Sequence, residues 1–224
     1  FVFGSLIDGK THRNITAEQQ MALLPLQDAI KRVNGNGGNG KRTLITFEDP
    51  NCGYCKKLTK ELVNLKDATI YTFMVPILSE DSLVKSKKIW CASDRLKAWD
   101  DWMLNGKAPT GTDNCANPLE RNSKLAQGLG VSGTPAIYFP NGEKVPGYMP
   151  LDKIEKALKD AQEKLAPLTM TETSALAAVS ATKSNIVDAD ADAGADARSR
   201  AEAADRPLSP RRRRRQRRGA SPHR

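Results

Sequence analysis

The chain has 224 residues, of which 39% are hydrophobic, and a formal charge of +9; that suits one ordinary domain with chain left over. Residues 206–224 hold nine arginines and no acidic residue, while the other 205 balance 26 basic against 26 acidic groups. The basic character therefore belongs to a tail and does not mark the folded part as a nucleic-acid binder, and no run approaches the roughly 18 apolar residues of a membrane-spanning helix.

Residues 1–8 read as one strand followed by a turn at Asp8-Gly9-Lys10. The chain opens on Phe1-Val2-Phe3 without a start Met, which fits a processed or truncated product. Asn14-Ile15-Thr16 matches a glycosylation acceptor, but Thr16 as a helix cap is the simpler role. A helix is expected over 16–33, interrupted at Pro25, with Leu23, Leu26, Ile30 and Val33 on one face. Residues 34–40, all Gly and Asn, read as a flexible linker.

An apolar strand is expected at Thr43–Glu48, followed by a turn at Asp49-Pro50-Asn51 and a helix over about 53–66. A second strand runs from Thr69 to Val75. Helices are expected near 82–92, 94–104 and 117–128, the second preceded by Asp94. Ala136–Phe139 reads as a strand, Pro140-Asn141-Gly142 as a hairpin turn, and the chain returns in a short strand to Val145. A last helix over about 151–165 carries Leu151, Ile154, Leu158 and Leu165 on one side. The order of elements is that of an α/β fold with a helical insert, preceded by a linker helix. Beyond residue 168, Ala, Ser, Asp and Arg dominate and no aromatic residue occurs, a composition expected to be disordered. Charge alone would let Arg211–Arg218 bind RNA, DNA or anionic lipid. The composition looks instead like read-through or frameshifted coding sequence, and nucleic acid is not an expected partner.

Cys52-Gly53-Tyr54-Cys55 lies where the apolar strand passes into a helix. The first cysteine falls at the helix N-terminus, where free N–H groups and the macrodipole favour an anion. A thiolate there can attack a disulfide, and a second thiol one turn further in can resolve the mixed disulfide. Cys52 is therefore the expected nucleophile and Cys55 the resolving thiol of a redox-active disulfide. The spacing C-x2-C-x35-C-x23-C lacks the second close pair of a zinc ribbon, and no His lies near. Neither a metal nor a cofactor is expected. Cys91 and Cys115 flank the helical insert and are expected to form a structural disulfide; two buried free thiols are the alternative. Four cysteines in two pairs suit an oxidising compartment. Trp90, Trp99 and Trp102, at helical spacing, read as core.

Taken together these residues resemble the DsbC/DsbG family of bacterial periplasmic disulfide isomerases, and most closely its DsbC branch. The resemblance runs through residues 47–58 (FEDPNCGYCKKL), 89–92 (IWCA), 129–136 (LGVSGTPA), Asn141-Gly142 and Pro146-Gly147-Tyr148. It implies a thioredoxin-like fold in which Pro135, preceded by Thr134, is cis and lies opposite the cysteines to pair with substrate backbone. It maps the redox pair onto Cys52 and Cys55 and the second disulfide onto Cys91–Cys115. It also implies a homodimer, a periplasmic location, a DsbD-like membrane thiol reductase as electron donor, and misfolded disulfide-containing proteins as substrates. A chaperone-like binder of unfolded chains and a monomeric general thiol oxidant or reductant are the alternatives. On this reading, residues 1–15 are a remnant of the dimerisation domain and 16–40 the linker helix and Gly/Asn-rich linker. Residues 41–167 form the thioredoxin-like catalytic domain and 168–224 the tail. Thr46 stands where thioredoxins keep a buried acid, six residues before Cys52. Glu48 and Asp49 are candidate proton acceptors for Cys55, although a solvated strand end is the simpler reading of both.

Overall fold

The central strand of the molecule, Thr43–Glu48 (β2), is buried on both faces along almost its whole length. In a computed structural model, which describes residues 6–9 and 13–165, it lies in the middle of a five-stranded mixed sheet. The elements in chain order are α1 (Ile15–Ala22), β1 (Ile30–Asn34), β2, α2 (Gly53–Leu62), β3 (Ala68–Met74), α3 (Glu80–Cys91), α4 (Arg95–Asn105), α5 (Leu119–Gly128), β4 (Ala136–Tyr138), β5 (Lys144–Pro146) and α6 (Leu151–Leu165). The strand order is β1-β3-β2-β4-β5. Only β2 and β3 pair in parallel; β1 with β3, β2 with β4 and β4 with β5 are antiparallel. None of the described helices is long and apolar enough to cross a membrane.

Side chains alternate along a strand, so β2 serves two cores. Leu44 faces α2 and α6 and packs with Leu58, Leu62, Ile154 and Leu158. Ile45 and Phe47 face the opposite side, where Phe73, Ala126 and Tyr138 meet Met21 and Leu24. Phe47 stacks on Phe73 with ring centroids 5.1 Å apart. A third cluster, built from the insert α3–α5, sets Ile89, Trp90, Trp99, Met103 and Leu119 over the two cysteines of α2.

Two regions differ from what the sequence suggests. The expected helix over 16–33 stops at Ala22, and Ile30–Asn34 is an edge strand paired with β3 from Ile30↔Thr72 to Asn34↔Ala68. Pro25 ends the helical run, and a 3-10 turn at Leu26–Asp28 redirects the chain. That turn is tied down by Asp28, whose carboxylate accepts two 2.9 Å hydrogen bonds from the Arg121 guanidinium. Exposed Leu23 therefore shares no face with buried Ile30. The cap of α1 is Asn14, whose side chain accepts the Ala17 N–H, while Thr16 Oγ1 accepts from Leu6 N–H.

The Gly/Asn segment is a shaped turn, not a free linker. Asn34 Nδ2 donates to the carbonyls of Leu62 and Leu65 at 2.8 and 2.7 Å, and Gly37 O accepts from Thr69 Oγ1. Gly38 has φ +66°, and a Cβ there would lie 2.5 Å from the Asp67 carbonyl oxygen. Only glycine tolerates both conditions. Of the N-terminal strand, Ile7 makes one isolated antiparallel bridge to Asn14; residues 1–5 and the expected tail at 168–224 lie outside the described residues.

The other expected elements are present with small shifts. The helix after the cysteines ends at Leu62 instead of about 66, and α3 begins at Glu80, capped by Ser79. Asp94 caps α4, and α6 spans Leu151–Leu165. Cys91 at the end of α3 is bonded to Cys115, 24 positions further along the sequence, with Cα atoms 5.7 Å apart. A cross-link over such a loop stabilises chiefly by restricting the unfolded chain, by about 3.5 kcal/mol. A Cys91→Ala/Cys115→Ala variant is expected to lose about that much in urea unfolding, and a loss under 1 kcal/mol would contradict this account.

Candidate active site

The turn from β2 into α2 is held by Asp49. Its fully buried carboxylate accepts the N–H of Asn51 at 2.7 Å, those of Ile77 and Leu78 at 2.9 and 3.0 Å, and the Ser82 hydroxyl at 2.8 Å. Four donors from the turn, the β3–α3 loop and α3 converge on one side chain. The turn is further anchored from the insert: Trp102 Nε1 donates to Pro50 O at 2.6 Å. The Trp102 ring is flanked by Lys56 Nζ of α2 at 4.0 Å from its centroid and by Lys85 Nζ of α3 at 4.7 Å. Trp90 and Trp99 are core residues, but Trp102 is only half-buried and touches the active-site turn. Its role was not visible in a spacing that simply repeats around α4.

Cys52 is the N-cap residue of α2, and its Sγ accepts the Cys55 backbone N–H at 3.3 Å. A sulfur at this point meets the unpaired N–H groups of the first helical turn. Cys55 lies one turn along, with no exposed surface; both cysteines are free thiols. Across the site, Cys52 Sγ lies 3.3 Å from the carbonyl oxygen of Thr134, and the Thr134–Pro135 peptide bond is cis. The fold thus brings together residues 82 positions apart. Beside this loop is a pocket of about 210 Å3 lined by Val131, Gly133, Thr134, Pro135, Lys144 and Pro146. Tyr54 stands exposed on the rim, its ring under Lys57 Nζ.

Glu48 and Asp49 are not a solvated strand end: both have no exposed surface. Side-chain alternation sends Glu48 to the α2 side with Thr46, and Thr46 Oγ1 donates to Glu48 Oε1 at 2.7 Å. Burial raises the Glu48 carboxyl from 4.5 to about 7, against the opposing influence of hydrogen bonds from Thr46 and Thr59 and the charge of Arg32. The Cys55 thiol is pushed up strongly, first by burial and next by the negative charge of Glu48. Sequence reasoning had no sign of this burial, because the strand's polar end falls under a helix that only tertiary packing supplies. Among the described residues, no group of His, Cys, Asp and Glu could hold a metal ion.

A profile described as a thioredoxin-like domain matches residues 26–162. The probable thiol:disulfide interchange protein DsbC of Bordetella parapertussis is 46% identical over 162 residues, covering 69% of this chain and 57% of that protein. A disulfide interchange protein from Neisseria gonorrhoeae, of known crystal structure, is 41% identical. The match covers 62% of this chain and 99% of that one, with a TM-score of 0.58. This chain belongs to the thioredoxin-like family, on its DsbC-like branch. The thiol:disulfide interchange protein DsbC of Escherichia coli K12 is more distant, at 36% identity over 127 residues. The chain spans a little over half the length of these curated DsbC proteins. The thioredoxin-like domain match begins at residue 26 of this chain, and so includes the edge strand β1.

Between about pH 4.5 and 7 the folded state holds the Glu48 proton more tightly than the unfolded chain does. Its favourable share of stability is therefore complete below 4.5 and is lost as pH rises through 7, roughly 3 kcal/mol in all. A Glu48→Gln variant should lack that slope, so its unfolding midpoint should gain on the wild type between pH 5 and 8; parallel pH profiles would refute the assignment. Trp102→Phe removes the donor to Pro50 O and is expected to cost about 1 kcal/mol in denaturant unfolding, with an unchanged midpoint counting against that anchor.

Proposed function

We propose that this chain exchanges disulfides in other proteins through Cys52, with Cys55 as the resolving thiol. The observation that carries the reading is the position of Cys52 Sγ, at the first turn of α2 and 3.3 Å from the carbonyl of cis-Pro135's neighbour Thr134. A substrate disulfide entering beside the cis-proline meets a sulfur set at the first-turn N–H groups of α2. The substrate backbone lies along residues 133–135, beside the open pocket, and Thr134 and Pro135 act as its docking groups.

The chemistry has two steps. The Cys52 thiolate attacks one substrate sulfur, the substrate S–S bond breaks, and the second substrate sulfur leaves as a thiolate. The mixed disulfide then has two fates. Attack by a different substrate thiol rearranges the substrate, and attack by Cys55 closes Cys52–Cys55 and leaves the substrate reduced. The first fate is isomerisation and the second reduction. The names of the DsbC relatives support interchange of this kind. The same kinship supports disulfide-containing proteins as substrates and a periplasmic location; a DsbD-like membrane thiol reductase as electron donor and a homodimeric assembly are what the family resemblance implies.

Replacing Cys52 by Ser is expected to abolish insulin reduction. Cys55→Ser should keep the attack but accumulate mixed disulfides visible by non-reducing electrophoresis. Retention of turnover in the Cys52 variant would end this reading.

A further inference from the structure

Two clusters of aromatic rings and ammonium groups border the turn that carries Cys52. Toward the insert, Lys56 of α2 and Lys85 of α3 hold Nζ 4.0 and 4.7 Å from the centroid of the Trp102 ring. Lys56 follows Cys52 by four residues, and its backbone N–H donates to the Cys52 carbonyl oxygen at 3.1 Å. Residues so spaced are neighbours on a helix surface. Toward the loop between β5 and α6, Lys57 Nζ lies 5.0 Å from the centroid of the Tyr54 ring. That ring packs against Tyr148, with centroids 6.5 Å apart. The loop is in turn tied to the cis-proline, since Gly147 N–H donates to Pro135 O at 2.8 Å. Ring faces attract cations, so both lysine side chains are restrained at the rim of the site.

The charge of these two lysines is not cancelled locally. Lys85 is paired with Asp81, whose carboxylate also accepts from Asn51 Nδ2 at 2.7 Å. Among the described residues, neither Lys56 nor Lys57 has a carboxylate partner. The one acid of α2, Glu61, is occupied: it accepts the Tyr148 hydroxyl at 2.7 Å and the Leu151 N–H at 3.3 Å. Glu48 and Asp49 have no exposed surface and so offer no carboxylate at the rim. Two uncompensated positive charges thus stand beside the sulfur.

We propose that Lys56 and Lys57 are specificity-determining residues, which make the site favour disulfides flanked by acidic residues. The proposal deepens the exchange reading given above and rests on it. The partner is an extended polypeptide segment with Asp or Glu next to its disulfide-bonded cysteine. When that cysteine meets Cys52, the neighbouring carboxylates come within reach of the ammonium groups on either side. Ammonium groups already held against rings have less freedom to lose on pairing. Opposite charge also speeds encounter, and salt removes the gain.

The test uses two dimeric tripeptide disulfides with blocked termini, Glu-Cys-Glu and Gln-Cys-Gln. Each is mixed with the reduced full chain, and the released peptide thiol is measured by chromatography after acid quenching. Flanking charge alters the intrinsic reactivity of a disulfide, so the quantity compared between proteins is the ratio of the two rates. At low salt the Glu-to-Gln ratio should be about fivefold higher in the wild type than in Lys56→Gln/Lys57→Gln. The difference should shrink below about twofold in about 1 M NaCl, where charges are screened within about 3 Å. Exposed Lys41 and Lys66 lie just before β2 and β3, at the opposite end of the sheet. Lys41→Gln/Lys66→Gln removes the same charge there and should keep the wild-type ratio. An equal ratio in the wild type and Lys56→Gln/Lys57→Gln, or an equal fall in Lys41→Gln/Lys66→Gln, would overturn the proposal. Failure of the unaltered protein to reduce either peptide would instead defeat the exchange reading itself.

Discussion

The site depends on one buried carboxylate making four hydrogen bonds at the point where β2 becomes α2. Asp49 has no exposed surface, and burying a carboxylate costs free energy unless donors surround it. The donors come from the turn itself, from the β3–α3 loop and from α3. Satisfying Asp49 therefore fixes the relative placement of three segments. The position of Cys52 at the start of α2 follows from it, and so does the closeness of the insert to the cysteines.

Around that pivot the two sulfurs sit in different surroundings. Cys52 lies at the helix end, beside a rim with exposed Tyr54 and an open pocket under the cis-proline loop. Cys55 is enclosed by aromatic and aliphatic side chains of the insert, with Glu48 beneath. Enclosure opposes ionisation of the inner thiol, while the outer sulfur meets the first-turn N–H of Cys55. The difference suits the proposed roles, attack by the outer sulfur and resolution by the inner one. The insert itself is held by the Cys91–Cys115 bridge and by the Arg32–Asp100 pair between β1 and α4. Trp102 carries that support directly to the active-site turn through Pro50.

Burying Glu48 beside Cys55 lowers the stability of the domain at neutral pH. The edge strand that supplies Arg32 is also the segment whose sequence was hardest to read. Ile30 and Val33, three apart, continue the helical period of Leu23 and Leu26, so the local pattern reads as helix. Pairing with β3 overrides that local preference.

Local chemistry was legible from the sequence by itself. A strand of β-branched and apolar residues leading into two cysteines three apart puts one sulfur at a helix start and the other one turn inside, because helical geometry leaves no alternative. Asp94 as a cap, the hairpin turn at Pro140-Asn141-Gly142 and the amphipathic last helix were likewise local matters, decided within a few residues. Tertiary structure alone decided which polar groups are buried. Glu48 and Asp49 look like an exposed strand end until α2 and α3 cover them, Trp102 looks like core until its N–H meets Pro50, and Gly35–Gly40 looks like a linker until Asp67 and Thr69 close on it. The physical reason is common to all three. Burial and hydrogen bonding are set by segments tens of residues away, and a residue's own neighbours in sequence carry no record of them.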